Sequence, residues 1–172
     1  PGLAGSRSGG LIAATWASMV RMGRQGYLDK AQKIFDVSTA MQDAVRSHSE
    51  LRIMGNPTFC FSFTAEDFDI YLVNDALKER GWRLNGQQYP DAVHMAVTGP
   101  QTQPGIPDAW ADDLAAAVTY AKAHREEKPL SGSIYGGIPG GPTPEADEFI
   151  RDVMASILDT QQSLPCLLYT SP

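Results

Sequence analysis

The chain has 172 residues, 42% of them hydrophobic and 20% charged, which is the balance of a chain that buries a core and excludes a disordered polymer. Fourteen Lys and Arg stand against twenty Asp and Glu, a net charge of −6, which argues against a nucleic-acid binder with a basic stripe. No apolar run approaches the ~20 residues that cross a bilayer, and Cys60 and Cys166 are too few for a disulfide framework, so a reducing, cytoplasmic setting is expected.

From Ser8 to Arg24, Ile12, Trp16, Met19 and Val20 recur at helical spacing, with Ala13, Ala14 and Ala17 thinning the helix for close packing. Gly23 and Gly26 loosen its end. A second helix is predicted from Tyr27 to about His48, with Ile34, Val37, Met41 and Val45 inward. Two short strands, Leu51–Met54 and Thr58–Thr64, flank a Gly55-Asn56-Pro57 turn. Phe59, Phe61 and Phe63 alternate with smaller residues, as on a sheet face packed against helices.

Asp67 is a candidate cap for a helix over Phe68–Arg80 that stops at Gly81. Trp82–Leu84 and Val93–Val97 read as further strands. Thr98–Pro107 carries three prolines and two glycines and reads as a loop. Asp108 to about Glu126 is an Ala-rich helix, Pro129–Pro144 a Gly/Pro segment, and Glu145–Asp159 a final helix with Phe149, Ile150, Val153 and Ile157 inward. The succession predicts an α/β fold, a small α/β layer attached to long connecting helices. Cys166–Pro172 resembles the in-frame translation of a sequencing-library adapter and is expected to be non-native.

Gly5-Ser6-Arg7-Ser8-Gly9-Gly10, directly before a helix, suits a phosphate or carboxylate: glycines permit close approach, first-turn amides are free, and Ser6 and Arg7 add donors. The same pattern also serves as a plain helix cap, and it lacks the spacing of a Walker loop or a dinucleotide fingerprint. His48, His94 and His124 are scattered, without metal-ligand spacing. His48 and His124 fall near helix C-termini, where a cation is favoured. His94, in an apolar strand, is either a hydrogen-bonded core or interface histidine or a ligand contact. Cys60, inside the Phe-rich strand, reads as a small core residue, and Glu66, Asp67 and Asp69 as a solvated helix start. Ser131–Gly137 is either a substrate-facing loop or a surface connection. No residue set here combines a nucleophile, a base and an orienting group.

Several separated segments, in order, resemble the pyridoxal-phosphate decarboxylase superfamily (group II), and within it the sphingosine-1-phosphate lyase branch. They are Gly5–Gly10, Ala13–Ala17, Met22–Tyr27, Asp67–Tyr71, Gly81–Asn85 with Gln88 and Pro90, Val93-His94, Ile134-Tyr135-Gly136 and Ile157–Asp159. The resemblance implies a fold-type I, aspartate-aminotransferase-like architecture, with residues 1–50 as the end of the large domain and connecting helices, 51–165 as the C-terminal small domain and 166–172 as the tail. It implies pyridoxal 5′-phosphate as cofactor and a homodimer with active sites at the interface. The family's cofactor lysine follows a His upstream of the Gly-Ser-Arg segment. Lys30, Lys33, Lys78, Lys122 and Lys128 all come after that segment and none follows a His, so no catalytic residue is expected among these 172. By the same resemblance, Ser6 and Arg7 meet a cofactor or substrate phosphate of the neighbouring subunit, and His94 and Tyr135 are candidate substrate contacts. Ser8 and the Gly137–Pro144 stretch depart from the eukaryotic lyases. The implied activity is carbon–carbon lysis of a phosphorylated amino alcohol, with amino-acid decarboxylation as the alternative and a non-catalytic anion- or partner-binding module as a second class.

Overall fold

The computed structural model describes residues 8–132 and 144–163, which fall in two compact units, Pro1–Gly136 and Gly137–Pro172. In the first, helix α1 runs Gly9–Arg46 and kinks at Gly23, whose φ of 58° only glycine adopts without strain. The two expected helices thus meet at the kink at Gly23, where the expected break lies, while Gly26 remains helical. The second half of its stripe is placed as predicted: Met41 and Val45 are fully buried, with Ile34 and Val37 packed at the edge. The first half is not. Trp16 is 67% exposed, and Ile12, Met19 and Val20 are exposed with it, because no described element reaches that face.

Strands β1 (Leu51–Ile53), β2 (Cys60–Ala65), β3 (Asn85–Gln87) and β4 (Ala92–Ala96) form one antiparallel sheet in the order β1-β2-β4-β3. Alternation directs Phe61, Phe63, Val93 and Met95 to one face and Cys60, Ser62, Thr64, Ala92 and His94 to the other. Cys60 is consequently exposed, not the core residue expected. Phe59 precedes the strand, lies beyond the covered face and meets Phe35 edge-on at 6.4 Å. Trp82–Leu84 is no strand: the Trp82 ring turns into the helix layer, where Nε1 donates to Asp113 Oδ2 at 2.8 Å, and pairing starts at Asn85.

Helix α2 (Ile70–Glu79) is capped by Asp69, not Asp67: Oδ1 accepts from the Tyr71 N–H at 2.9 Å, two residues on, while burial of Phe68 delays the helix start. Its end at Gly81, φ 95°, is as expected. Thr98–Pro107 is more ordered than a loop: a 3-10 turn, Gly99–Thr102, is tied by Gln101 Oε1 accepting from the Thr98 N–H at 2.9 Å. Helix α3 (Ile106–Ala123) then follows Gly105. In the second unit, α4 spans Pro144–Ser163. Its Phe149, Ile150, Val153 and Ile157 are exposed, contrary to expectation, since its own unit describes no second element to bury them.

α2, α3 and the end of α1 cover the sheet face that carries Phe61 and Phe63. Trp110 of α3 sits at the centre, fully buried, with ring centroids 6.4, 6.3 and 5.0 Å from Phe61, Phe63 and Trp82 and Nε1 donating to the Met41 carbonyl at 3.1 Å. Replacing Trp110 by Ala is expected to lower the unfolding free energy by about 3–5 kcal/mol, read from urea unfolding, and Trp110→Phe by less. At the sheet margin, Lys122 hydrogen-bonds Glu50 and is the main cause that lowers the Glu50 carboxyl from 4.5 to about 2. A depressed folded-state pKa adds stability above about pH 4.5 that disappears as the pH falls through about 2. Glu50→Gln should therefore separate from the parent chain in melting temperature at neutral pH and converge with it near pH 2.

Candidate functional site

Ser6, Arg7 and Tyr135 lie outside the described residues; the structure shows the elements that lead to them. Ser8, extended at φ −64° and ψ 126°, is the N-cap of α1 and forms no side-chain cap bond, and the first turn holds no acidic residue. Helix amides left without an internal partner carry partial positive charge and attract an anion. Among the described residues, nothing lies within 4 Å of where a Cβ on Gly9 would stand. The described residues thus suit the phosphate end of a pyridoxal phosphate molecule. Among them, the five lysines are exposed, and the one in an ion pair, Lys122, holds Glu50; no residue set fits the ring or the amine-binding role.

His94, the one candidate contact that is described, stands on β4 opposite Ser62, on the face turned away from α2 and α3. It is half-buried, with Nε2 3.3 Å from Asn85 Nδ2 and Nδ1 buried without a partner. With the Asn85 amide as donor, Nε2 accepts and Nδ1 carries the proton. Neither a carboxylate nor a thiol bonds the ring, and Cys60 faces Ala96, so no nucleophile–base pair forms. His124 ends α3 as expected, with Nδ1 2.8 Å from the Tyr120 carbonyl. No group of three metal-ligating side chains and no helix long and apolar enough to cross a membrane occurs among the described residues.

A set of contacts around the Asp67–Tyr71 segment was not anticipated from the sequence. Tyr71 is buried, its hydroxyl donates to the Gln87 carbonyl at 2.5 Å, and burial with nearby Asp91 pushes its phenol up to about 12. One turn on, Asp75 accepts from the backbone N–H groups of Leu130 at 2.6 Å and Ser131 at 3.1 Å. The Ser131 hydroxyl donates to the Tyr71 carbonyl at 3.3 Å. α2 thereby holds the chain just before Ser133–Gly136. The only sequence signal was an acidic residue at helical spacing from Tyr71, which is uninformative without its partner 55 residues away. Asp75→Ala is expected to speed hydrogen exchange at the Leu130 and Ser131 amides while leaving those of Phe61 and Phe63 protected.

Comparison with known proteins completes the picture. No family model matches the chain. The sphingosine-1-phosphate lyase of Arabidopsis thaliana is 34% identical over 165 residues, covering 94% of this chain and 29% of that protein. The Drosophila melanogaster sphingosine-1-phosphate lyase is 38% identical over 115 residues, covering 66% of this chain and 21% of that protein. The solved sphingosine-1-phosphate lyase of Burkholderia pseudomallei superposes with a TM-score of 0.70 at 47% identity, covering 96% of this chain and 32% of that one. The chain spans about a fifth to three-tenths of the length of the first relatives it matches. Co-linear likeness along nearly the whole chain, together with the matching α/β fold, is more than a shared scaffold: the chain belongs to the pyridoxal-phosphate-dependent decarboxylase superfamily, in its sphingosine-1-phosphate lyase branch.

Proposed function

We propose that the protein containing this chain is a pyridoxal-phosphate-dependent lyase that splits a phosphorylated long-chain amino alcohol into an aldehyde and phosphoethanolamine. The observation that carries this is the 47% identity to a solved sphingosine-1-phosphate lyase across 96% of the chain. The bound cofactor supplies an electron sink for carbon–carbon cleavage. These residues contribute binding and scaffold. Ser6 and Arg7 enter α1 where its free amides favour a phosphate, and they reach the cofactor of a neighbouring subunit in a homodimer. On this reading residues 1–50 are the end of the large domain with the connecting helices, and 51–165 the C-terminal small domain. The amine that anchors the cofactor comes from outside these residues.

The full-length protein, supplied with phosphorylated sphingoid bases and separately with a panel of amino acids, should yield a long-chain aldehyde and phosphoethanolamine from the former. Carbon dioxide from an amino acid, with no aldehyde from the phosphorylated bases, would overturn the reading in favour of the decarboxylase branch. In the same protein Ser6→Ala should weaken cofactor retention about ten-fold, the loss of one charge-assisted hydrogen bond, with the unfolding midpoint unchanged. Equal retention would remove Ser6 from the phosphate site.

A further inference from the structure

We infer that the cleft between α2 and the segment that follows it binds the carboxylate of a small, largely apolar organic acid. The cleft encloses about 210 Å³ and is lined by Asn74 and Lys78 of α2, by Trp82, Arg83 and Leu84 beyond its end, and by Ser131. Asn74 carries the argument. It is 4% exposed, yet its amide forms no hydrogen bond among the described residues, whereas the other buried polar side chains, Ser38, Gln42, Thr64 and Ser131, each form at least one. A buried amide without a partner forfeits its hydration for nothing, and native structures rarely keep one without a use. Among the described residues the only fully enclosed side-chain nitrogen or oxygen without a partner is His94 Nδ1. The Asn74 amide therefore keeps a face open, and the cavity that it lines is this cleft.

The charges around the cleft select the ligand. Lys78 stands one turn after Asp75, whose carboxylate remains anionic while it accepts from the Leu130 and Ser131 amides, so the two balance. Arg83 forms no ion pair among the described residues. Its Nη1 reaches the Lys78 and Trp82 carbonyls at 3.4 and 3.3 Å, long for hydrogen bonds, and its other donors are uncommitted. One uncompensated guanidinium suits a single negative charge, and its planar fork matches a carboxylate. The Asn74 amide adds donors from the floor of the cleft. Trp82 and the buried Leu84 supply an apolar wall for the body of the acid. The Ser131 wall is fixed, since its N–H donates to Asp75 at 3.1 Å and its hydroxyl to the Tyr71 carbonyl at 3.3 Å. Arg83 is exposed and screened by solvent, so the affinity is modest and falls with salt.

This site is independent of the reaction proposed above, so it is tested by binding alone. The full-length protein is titrated calorimetrically, at constant ionic strength, with benzoate, benzylamine and benzyl alcohol, which share a ring and differ in charge. Saturable binding of benzoate is expected, about ten-fold weaker in Asn74→Leu and in Arg83→Gln and unchanged in Lys30→Gln. Without ligand, Asn74→Leu should melt no lower than the parent protein, because a side chain of similar size replaces an unpaired buried amide. An amide that supports the fold would give the opposite sign. Arg83→Gln changes only an exposed side chain and so reads the site independently of folding. Absence of benzoate binding, equal binding of benzyl alcohol or benzylamine, undiminished binding in either variant, or a lower melting temperature in Asn74→Leu would overturn the inference.

Discussion

The structure of the first unit depends on the burial of Trp110. Its ring meets Phe61 and Phe63 of the sheet and Trp82 at the end of α2, while its indole N–H is bonded to a carbonyl of α1. One side chain thus joins the helix layer to the sheet, and its polar atom is satisfied where an unpaired donor would be costly. Trp82 in turn leaves the sheet to pack against it and to bond Asp113, which explains why the third strand begins only at Asn85. The helices cannot shift relative to the sheet without opening this contact.

Because all of that packing lies on one face, the sheet is asymmetric. The helix-covered side is aromatic and aliphatic, and the other side carries Cys60, Ser62, Thr64 and His94. The first half of α1 extends from this core with Ile12, Trp16, Met19 and Val20 exposed. That apolar stripe meets no counterpart among the described residues. The same geometry accounts for the absence of an assembled catalytic group. The described residues present an uncapped start of α1 and hold the Leu130–Ser131 segment on α2, with no nucleophile–base pair among them.

Electrostatics follow a similar division. Glu50 and Lys122 satisfy each other at the sheet margin, as do Asp75 and two backbone amides beside Tyr71. On α1, Asp29 and Asp36 accept from Gln25 and Gln32 and stand one turn from Lys33, so the aspartates balance Lys30 and Lys33 there.

Local patterning was enough to read most element types: helical periodicity marked α1, alanine content α3, glycine the end of α2, and alternation β2, while β3 and the 3-10 turn were not read. These features act over a few residues, so they are written in the order of the chain. The motifs from Gly5 to Asp159 carried the family as well, because they recur at matching separations along the chain. Residues whose roles depend on distant partners were misread. Phe59 and Cys60 fit the strand pattern, yet one falls beyond the core and the other faces away from it. Asp67 was read as the cap, whereas burial of Phe68 starts the helix later and gives that role to Asp69. Asp75 and Trp82 acquired their roles from residues distant in sequence, and such choices are settled by packing, since burial and pairing are properties of the whole folded chain.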